Sequence, residues 1–145
     1  AKADCRSLEK EMLAKMHLTD PERVMVSYPF ELSGGMKQRV GIAMSMTARP
    51  RLLLADEPTS ALDVTIQAEV VRGMKKLREQ YETAIILVTH NMGVASYISD
   101  KIGVMCKGEL VEFGKRDDVI FHPKHEYTKK LLAAVPRLEG KRFAK

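Results

Sequence analysis

The chain has 145 residues, 45% of them hydrophobic and 30% charged, with a net charge of +5. That is the balance of a globular protein with enough sequence for one core or for a large piece of a bigger domain. No apolar run approaches the ~20 residues of a membrane-spanning helix, and the N-terminus lacks a signal-peptide pattern. Cys5 and Cys106 stand alone, which suits a reducing cytosol and argues against a disulfide framework. The basic residues are dispersed, at Lys75-Lys76, Lys129-Lys130 and Lys141-Arg142, and aromatics make up only 6%. They read as solvated surface, not as a nucleic-acid platform.

In chain order, Leu8, Met12, Leu13, Met16 and Leu18 recur at helical spacing and predict an amphipathic helix within residues 1–18, stopped by Asp20-Pro21. A loop through Tyr28-Pro29 is expected to lead to Ser33, which is placed to N-cap a Met-, Ala- and Ile-rich helix ending near Ala48. Leu52 to Ala55 is a continuous apolar run, the pattern of a parallel strand covered on both faces, and it ends in Asp56-Glu57-Pro58. A helix from about Leu62 to Tyr81 follows, with Ile66, Val70, Met74 and Leu77 on one face. Ala84 to Val88 reads as the next strand, ending at Thr89-His90, and residues 92–99 as helix. Ile102–Cys106 and Leu110–Phe113 form a predicted hairpin turned at Lys107-Gly108, with short helices over 116–121 and 125–134.

This strand–helix–strand alternation predicts an α/β layer fold, whose ligands bind beyond the carboxyl ends of the strands. Asp56, Glu57 and His90 fall at such ends. Two adjacent acids there suit a magnesium ion and a water that needs activating. Upstream, Leu32-Ser33-Gly34-Gly35-Met36-Lys37-Gln38-Arg39 places a hydroxyl and two glycines where a helix begins. Unpaired N–H donors and the helix dipole make such a start suited to an anion such as phosphate.

These motifs resemble the ATP-binding subunits of ABC transporters. Leu32 to Arg39 is similar to the family's signature motif, Leu52 to Glu57 to its Walker B strand, Ser60-Ala61-Leu62-Asp63 to its D-loop, and His90 to its switch histidine. The resemblance implies a partial P-loop NTPase core of parallel strands flanked by helices. It also divides the chain into a helical-subdomain remnant with the signature helix (1–48), an ATPase core (49–114) and a C-terminal extension (115–145). The cofactors implied are ATP and Mg²⁺. Asp56 would hold the metal, Glu57 would deprotonate the attacking water, and His90 would contact the γ-phosphate. Ser33, Gly34, Gly35 and Gln38 would serve the ATP of the opposite subunit in a head-to-tail pair, with Asp63 crossing the interface. Asn91 departs from the family, which tends to place Asp after the histidine; the charge that could tune the imidazole is lost.

Phe121-His122-Pro123-Lys124-His125-Glu126-Tyr127, continuing to Pro136, resembles the extension of the oligopeptide, dipeptide and nickel branch of importers, as does Tyr28-Pro29-Phe30-Glu31-Leu32. His122, His125 and Glu126 match no strong metal-ligand spacing. No G-x-x-x-x-G-K-[ST] phosphate loop occurs in these residues; Gly108 to Arg116 is the nearest imitation and fails on spacing and on its last residue. The expectation is therefore the C-terminal part of an ATPase that powers import of peptides or nickel, inactive as an isolated piece. Implied partners are a second ATP-binding subunit, two transmembrane permease subunits and, indirectly, an external solute-binding protein. The implied location is the inner face of the cell membrane, on its cytoplasmic side. The alternative is a non-enzymatic module that pairs with intact ATPase subunits. A DNA-working ATPase of the SMC kind shares related motifs, but the importer-like tail and the lack of coiled-coil heptads favour transport.

Overall fold

A computed structural model describes residues 2–60 and 62–135. Ala61 of the D-loop-like segment Ser60-Ala61-Leu62-Asp63 and everything from Pro136 onward, with the end of the expected 115–145 extension, lie outside the described residues. Contacts divide the chain into two compact units, Ala1–Thr89 and His90–Lys145. The boundary falls inside the segment 49–114 that the sequence suggested as one core.

The first unit holds α1 (Lys2–Lys15), α2 (Pro21–Val26), a 3₁₀ turn (Pro29–Glu31), α3 (Gly34–Thr47), β1 (Leu52–Asp56), α4 (Val64–Tyr81) and β2 (Ala84–Val88). The stretch expected as loop between residues 20 and 33 is a correction, since it contains a helix and a 3₁₀ turn. Asp20-Pro21 ends one helix and starts the next. The Asp20 carboxylate accepts from the Arg23 amide at 3.1 Å, and Pro21 occupies the first helical position, where no donor is needed.

The core of this unit lies among α1, α3 and α4. Met12, Met16, Met46, Met74 and Leu77 are fully buried there, with Val70 and Ile42 alongside. The apolar face read from sequence on the long helix is the face that α4 buries, except that Ile66 remains half-exposed. Four methionines in one core suit irregular gaps, because an unbranched thioether adapts its shape to its neighbours.

β1 and β2 pair in parallel, Leu52 opposite Ala84 through Asp56 opposite Val88. Buried Thr83 fixes the entry to β2 by donating its hydroxyl to the Pro50 carbonyl at 2.8 Å, while the Ala84 amide donates to Arg51 at 2.9 Å. Coverage on both faces is a second correction. Leu52, Leu54, Ile86 and Val88 share one face and are exposed, Leu54 at 69%. A continuous apolar run specifies a strand without specifying how many of its faces are covered.

The second unit holds α5 (Met92–Ile98), β3 (Lys101–Cys106), β4 (Glu109–Lys115), α6 (Arg116–Phe121) and α7 (Glu126–Ala133). β3 and β4 are antiparallel. They turn through Lys107 (φ 50) and Gly108 (φ 84), both left-handed, as a two-residue hairpin loop requires. Ile102, Val104 and Val119 form its core, with Val111, Ile120 and Leu131 packed against it. The Glu112 carboxylate accepts from the amides of Lys124 at 2.9 Å and His125 at 3.1 Å, tying the approach to α7 onto β4. The Thr128 hydroxyl and these two amides hold Glu112 below the usual carboxylate range. Thr128 is buried and its oxygen meets no partner within hydrogen-bond geometry, so its pull is that of a neighbouring dipole.

Two measurements check this packing. Met74→Ala is expected to cost ~2–5 kcal/mol of stability in urea titration, the price of a cavity in a closed core. A carboxyl with a lowered folded-state pKa contributes stability above its unfolded value and loses it as pH falls through the folded value. The hydrogen-exchange protection of α7 is therefore expected to weaken on acidification below the ordinary carboxylate range, and Glu112→Gln is expected to flatten that acid limb.

Candidate nucleotide site

The Ser33 hydroxyl accepts from the Met36 amide at 3.3 Å and so caps α3. The first turn of α3 contains no acid, so nothing within the helix offsets the partial positive charge at its start. Gly34 is exposed, and a side chain there would meet nothing within 4 Å. Gly35 is the opposite case. A Cβ at this position would lie 2.8 Å from Ile66 Cγ2 and 3.5 Å from Leu62 Cδ2. Only glycine lets the start of α3 pack this closely against the start of α4. The Asp63 carboxylate caps α4 by accepting from the Ile66 amide at 3.0 Å.

At the end of β1, Asp56 is exposed and Glu57 half-buried. Glu57 has a left-handed backbone, φ 44, which for a residue with a Cβ costs on the order of 1–2 kcal/mol. Its amide donates to the Val88 carbonyl at 2.9 Å, extending the β1–β2 pairing by one residue. Its carbonyl accepts from the Ser60 amide at 3.1 Å and, at a longer 3.4 Å, from the Gln38 side-chain amide on α3. The next residues are anchored as well: Pro58 and Thr59 are buried, and Gln67 of α4 donates to the Thr59 hydroxyl at 3.0 Å.

Arg39 lies beside Gln38 and is 7% exposed. Its guanidinium donates to the carbonyls of Gly35 at 3.3 Å and His17 at 3.0 Å and pairs with Glu69 of α4 at 3.2 Å. Three separate links thus fix the signature-like helix to the elements around Asp56 and Glu57: Gly35 on Ile66, Gln38 on Glu57, and Arg39 on Glu69.

Of the residues singled out in sequence, Ser33, Gly34, Gly35, Gln38, Asp56, Glu57 and Asp63 all belong to the first unit. His90 opens the second unit and is exposed. Asn91 caps α5, its side-chain oxygen accepting from the amides of Gly93 at 2.9 Å and Val94 at 3.2 Å. Thr59, Gln67 and Glu69 were not anticipated. For Gln67 and Glu69 the signal lay in the helical spacing, since they flank the apolar stripe through Ile66, Val70 and Met74, where a polar residue needs a partner.

Among the described residues, no group of three or more His, Cys, Asp and Glu side chains converges as a metal site, His122, His125 and Glu126 included. The His125 ring nitrogen instead accepts from the Tyr127 amide at 3.1 Å, capping α7. Magnesium asks less of a protein. It uses one or two carboxylates and completes its octahedron with water and phosphate oxygens. Exposed Asp56 beside Glu57 fits that demand.

The Gly35 contact is directly testable. Gly35→Ala is expected to cost about 1–3 kcal/mol of stability, as overpacking does, and Ile66→Ala in the same chain is expected to recover part of that loss. Equal losses with and without Ile66 would contradict the close approach.

Two family models match: "ABC transporter" over residues 4–60 and "Oligopeptide/dipeptide transporter, C-terminal region" over residues 111–144. Similar curated proteins include the oligopeptide transport ATP-binding protein OppD of Bacillus subtilis, 47% identical over 90% of this chain and 36% of its own length. OppD of Salmonella typhimurium is 46% identical over 97% of this chain and 42% of its own. The glutathione import ATP-binding protein GsiA of Escherichia coli is 46% identical over 89% and 21%. The chain thus spans about two fifths of the length of the OppD relatives it matches. Among solved structures, a dimeric ATP-binding cassette in a post-hydrolysis state, bound to ADP and Pi, superimposes with a TM-score of 0.64 at 35% identity, over 73% of this chain and 44% of that one. With the signature-like helix and the acid pair at a parallel strand end in one sequence, the chain belongs to the ABC transporter family, and its residues 111–144 match the C-terminal region of oligopeptide/dipeptide transporters.

Proposed function

We propose that this chain supplies the signature and Walker B parts of an ATPase that drives import of peptides through a membrane permease. The observation that carries the reading is the fixed placement, in one compact unit, of a capped glycine helix start with no acid in its first turn and an acid pair at a strand end. The relatives named above are oligopeptide and glutathione importers, so a peptide is preferred to nickel as the solute.

In this reading Glu57 takes the proton from a water as the water oxygen bonds to the γ-phosphorus. The bond from that phosphorus to the β–γ bridging oxygen breaks, and ADP and phosphate are the products. Asp56 would hold Mg²⁺, which supplies charge neutralisation at the phosphate oxygens. His90 would hold the attacking water from the side of the γ-phosphate. Ser33, Gly34 and Gly35 would close over the nucleotide of a second subunit, and Asp63 would face that subunit.

No described helix is long and apolar enough to cross a membrane.

The test is ATP turnover in the assembled transporter. Glu57→Gln is expected to lower kcat by ~10²-fold or more while ATP binding persists, because the isosteric amide keeps the shape and loses the base. Unchanged turnover would contradict the assignment.

A further inference from the structure

We propose that Gln38 is a positioning residue for Glu57, coupling the nucleotide seen by the signature helix to the general base of the other nucleotide site held by the same chain. The inference rests on the functional reading just given and adds to it the path of the coupling.

Glu57 is the one left-handed residue between the end of β1 and Thr59. Such a backbone persists only where the surroundings hold it. Among the partners that hold it are Val88 on the amide, and Ser60 and Gln38 on the carbonyl. The first two partners belong to the strand pair and to the turn itself. Gln38 alone of the three comes from α3, and it lies three and four residues beyond Gly35 and Gly34, on the same face of that helix.

The helix between these points is stiff. Arg39 ties its first turn internally through Gly35 and externally through Glu69 and His17. Gly35 leaves no slack against Ile66. An anion drawn to Ser33 and Gly34 therefore shifts the helix start as a body, and the shift reaches the Glu57 carbonyl through the Gln38 amide. Rotation of that peptide re-aims the Glu57 carboxylate, because the side chain leaves from the residue whose carbonyl is held. In a head-to-tail pair, each nucleotide would thereby set the general base acting on the other.

The role predicts a donor requirement, not a shape requirement. Steady-state ATP turnover is measured in the assembled transporter for wild type, Gln38→Ala and the isosteric Gln38→Glu, which keeps the volume and loses the N–H. Both variants are expected to lower kcat by about tenfold or more with KM for Mg·ATP within about twofold, and the loss in Gln38→Glu is expected at temperatures where its melting curve shows it still folded. Wild-type kcat in Gln38→Glu would overturn the proposal whatever Gln38→Ala does. A wild-type assembly without ATPase activity would count against the functional reading instead. The link itself would then be read from the ¹³C chemical shift of the Glu57 carbonyl in this chain, which must move in Gln38→Glu, and an unmoved resonance would overturn it.

Discussion

The backbone at Glu57 is the constraint around which the first unit is arranged. A parallel strand that ran on regularly through its acid pair would send the two carboxylates to opposite faces of the sheet. The chain meets this by pairing Asp56 with Val88, spending one further bond from the Glu57 amide, and turning left-handed. The turn is intrinsically unfavourable, and its neighbours offset that cost. Buried Pro58 and Thr59, the Gln67 hydrogen bond from α4 and the Gln38 hydrogen bond from α3 hold it in place. Two helices distant in sequence are thereby committed to one turn.

The same constraint explains the glycine at position 35 and the pairing of buried Arg39 with the more exposed Glu69. α3 and α4 can serve one turn only if their starts touch, and the touch leaves no volume for a Cβ at Gly35. Arg39 then satisfies three acceptors from inside the packed region. A buried guanidinium is tolerated there because its donors are met by two carbonyls and a carboxylate, whereas an unpaired one would be costly. Stability and site geometry are in this sense the same set of contacts.

Much of this was legible in the sequence, and the failures are instructive. The long stripe of Val70, Met74 and Leu77, the Ser33 cap and the Lys107-Gly108 turn each rest on local chemistry, and each appears where expected. α2 was not legible because six residues are too few for a helical period, and Asp20-Pro21 carries a stop and a start in one dipeptide. The open face of β1 and β2 was not legible because Leu52 to Ala55 is apolar at every position and so carries no alternation to read. The links from Gln38 to Glu57 and from Arg39 to Glu69 depend on how segments 19 and 30 residues apart approach one another. Periodicity indicates which face is buried, but not which polar group on its flank finds which partner.

The central claim is that the signature helix and the acid pair of one chain belong to two different nucleotide sites. The most direct measurement is the structure of the assembled Glu57→Gln ATPase holding Mg·ATP. The expected result places Ser33 Oγ and the amides beside it at about 3 Å from the γ-phosphate, on a nucleotide whose metal is held by the partner's Asp56. A nucleotide touched by Ser33 and Asp56 of the same chain, or by neither, would contradict the claim.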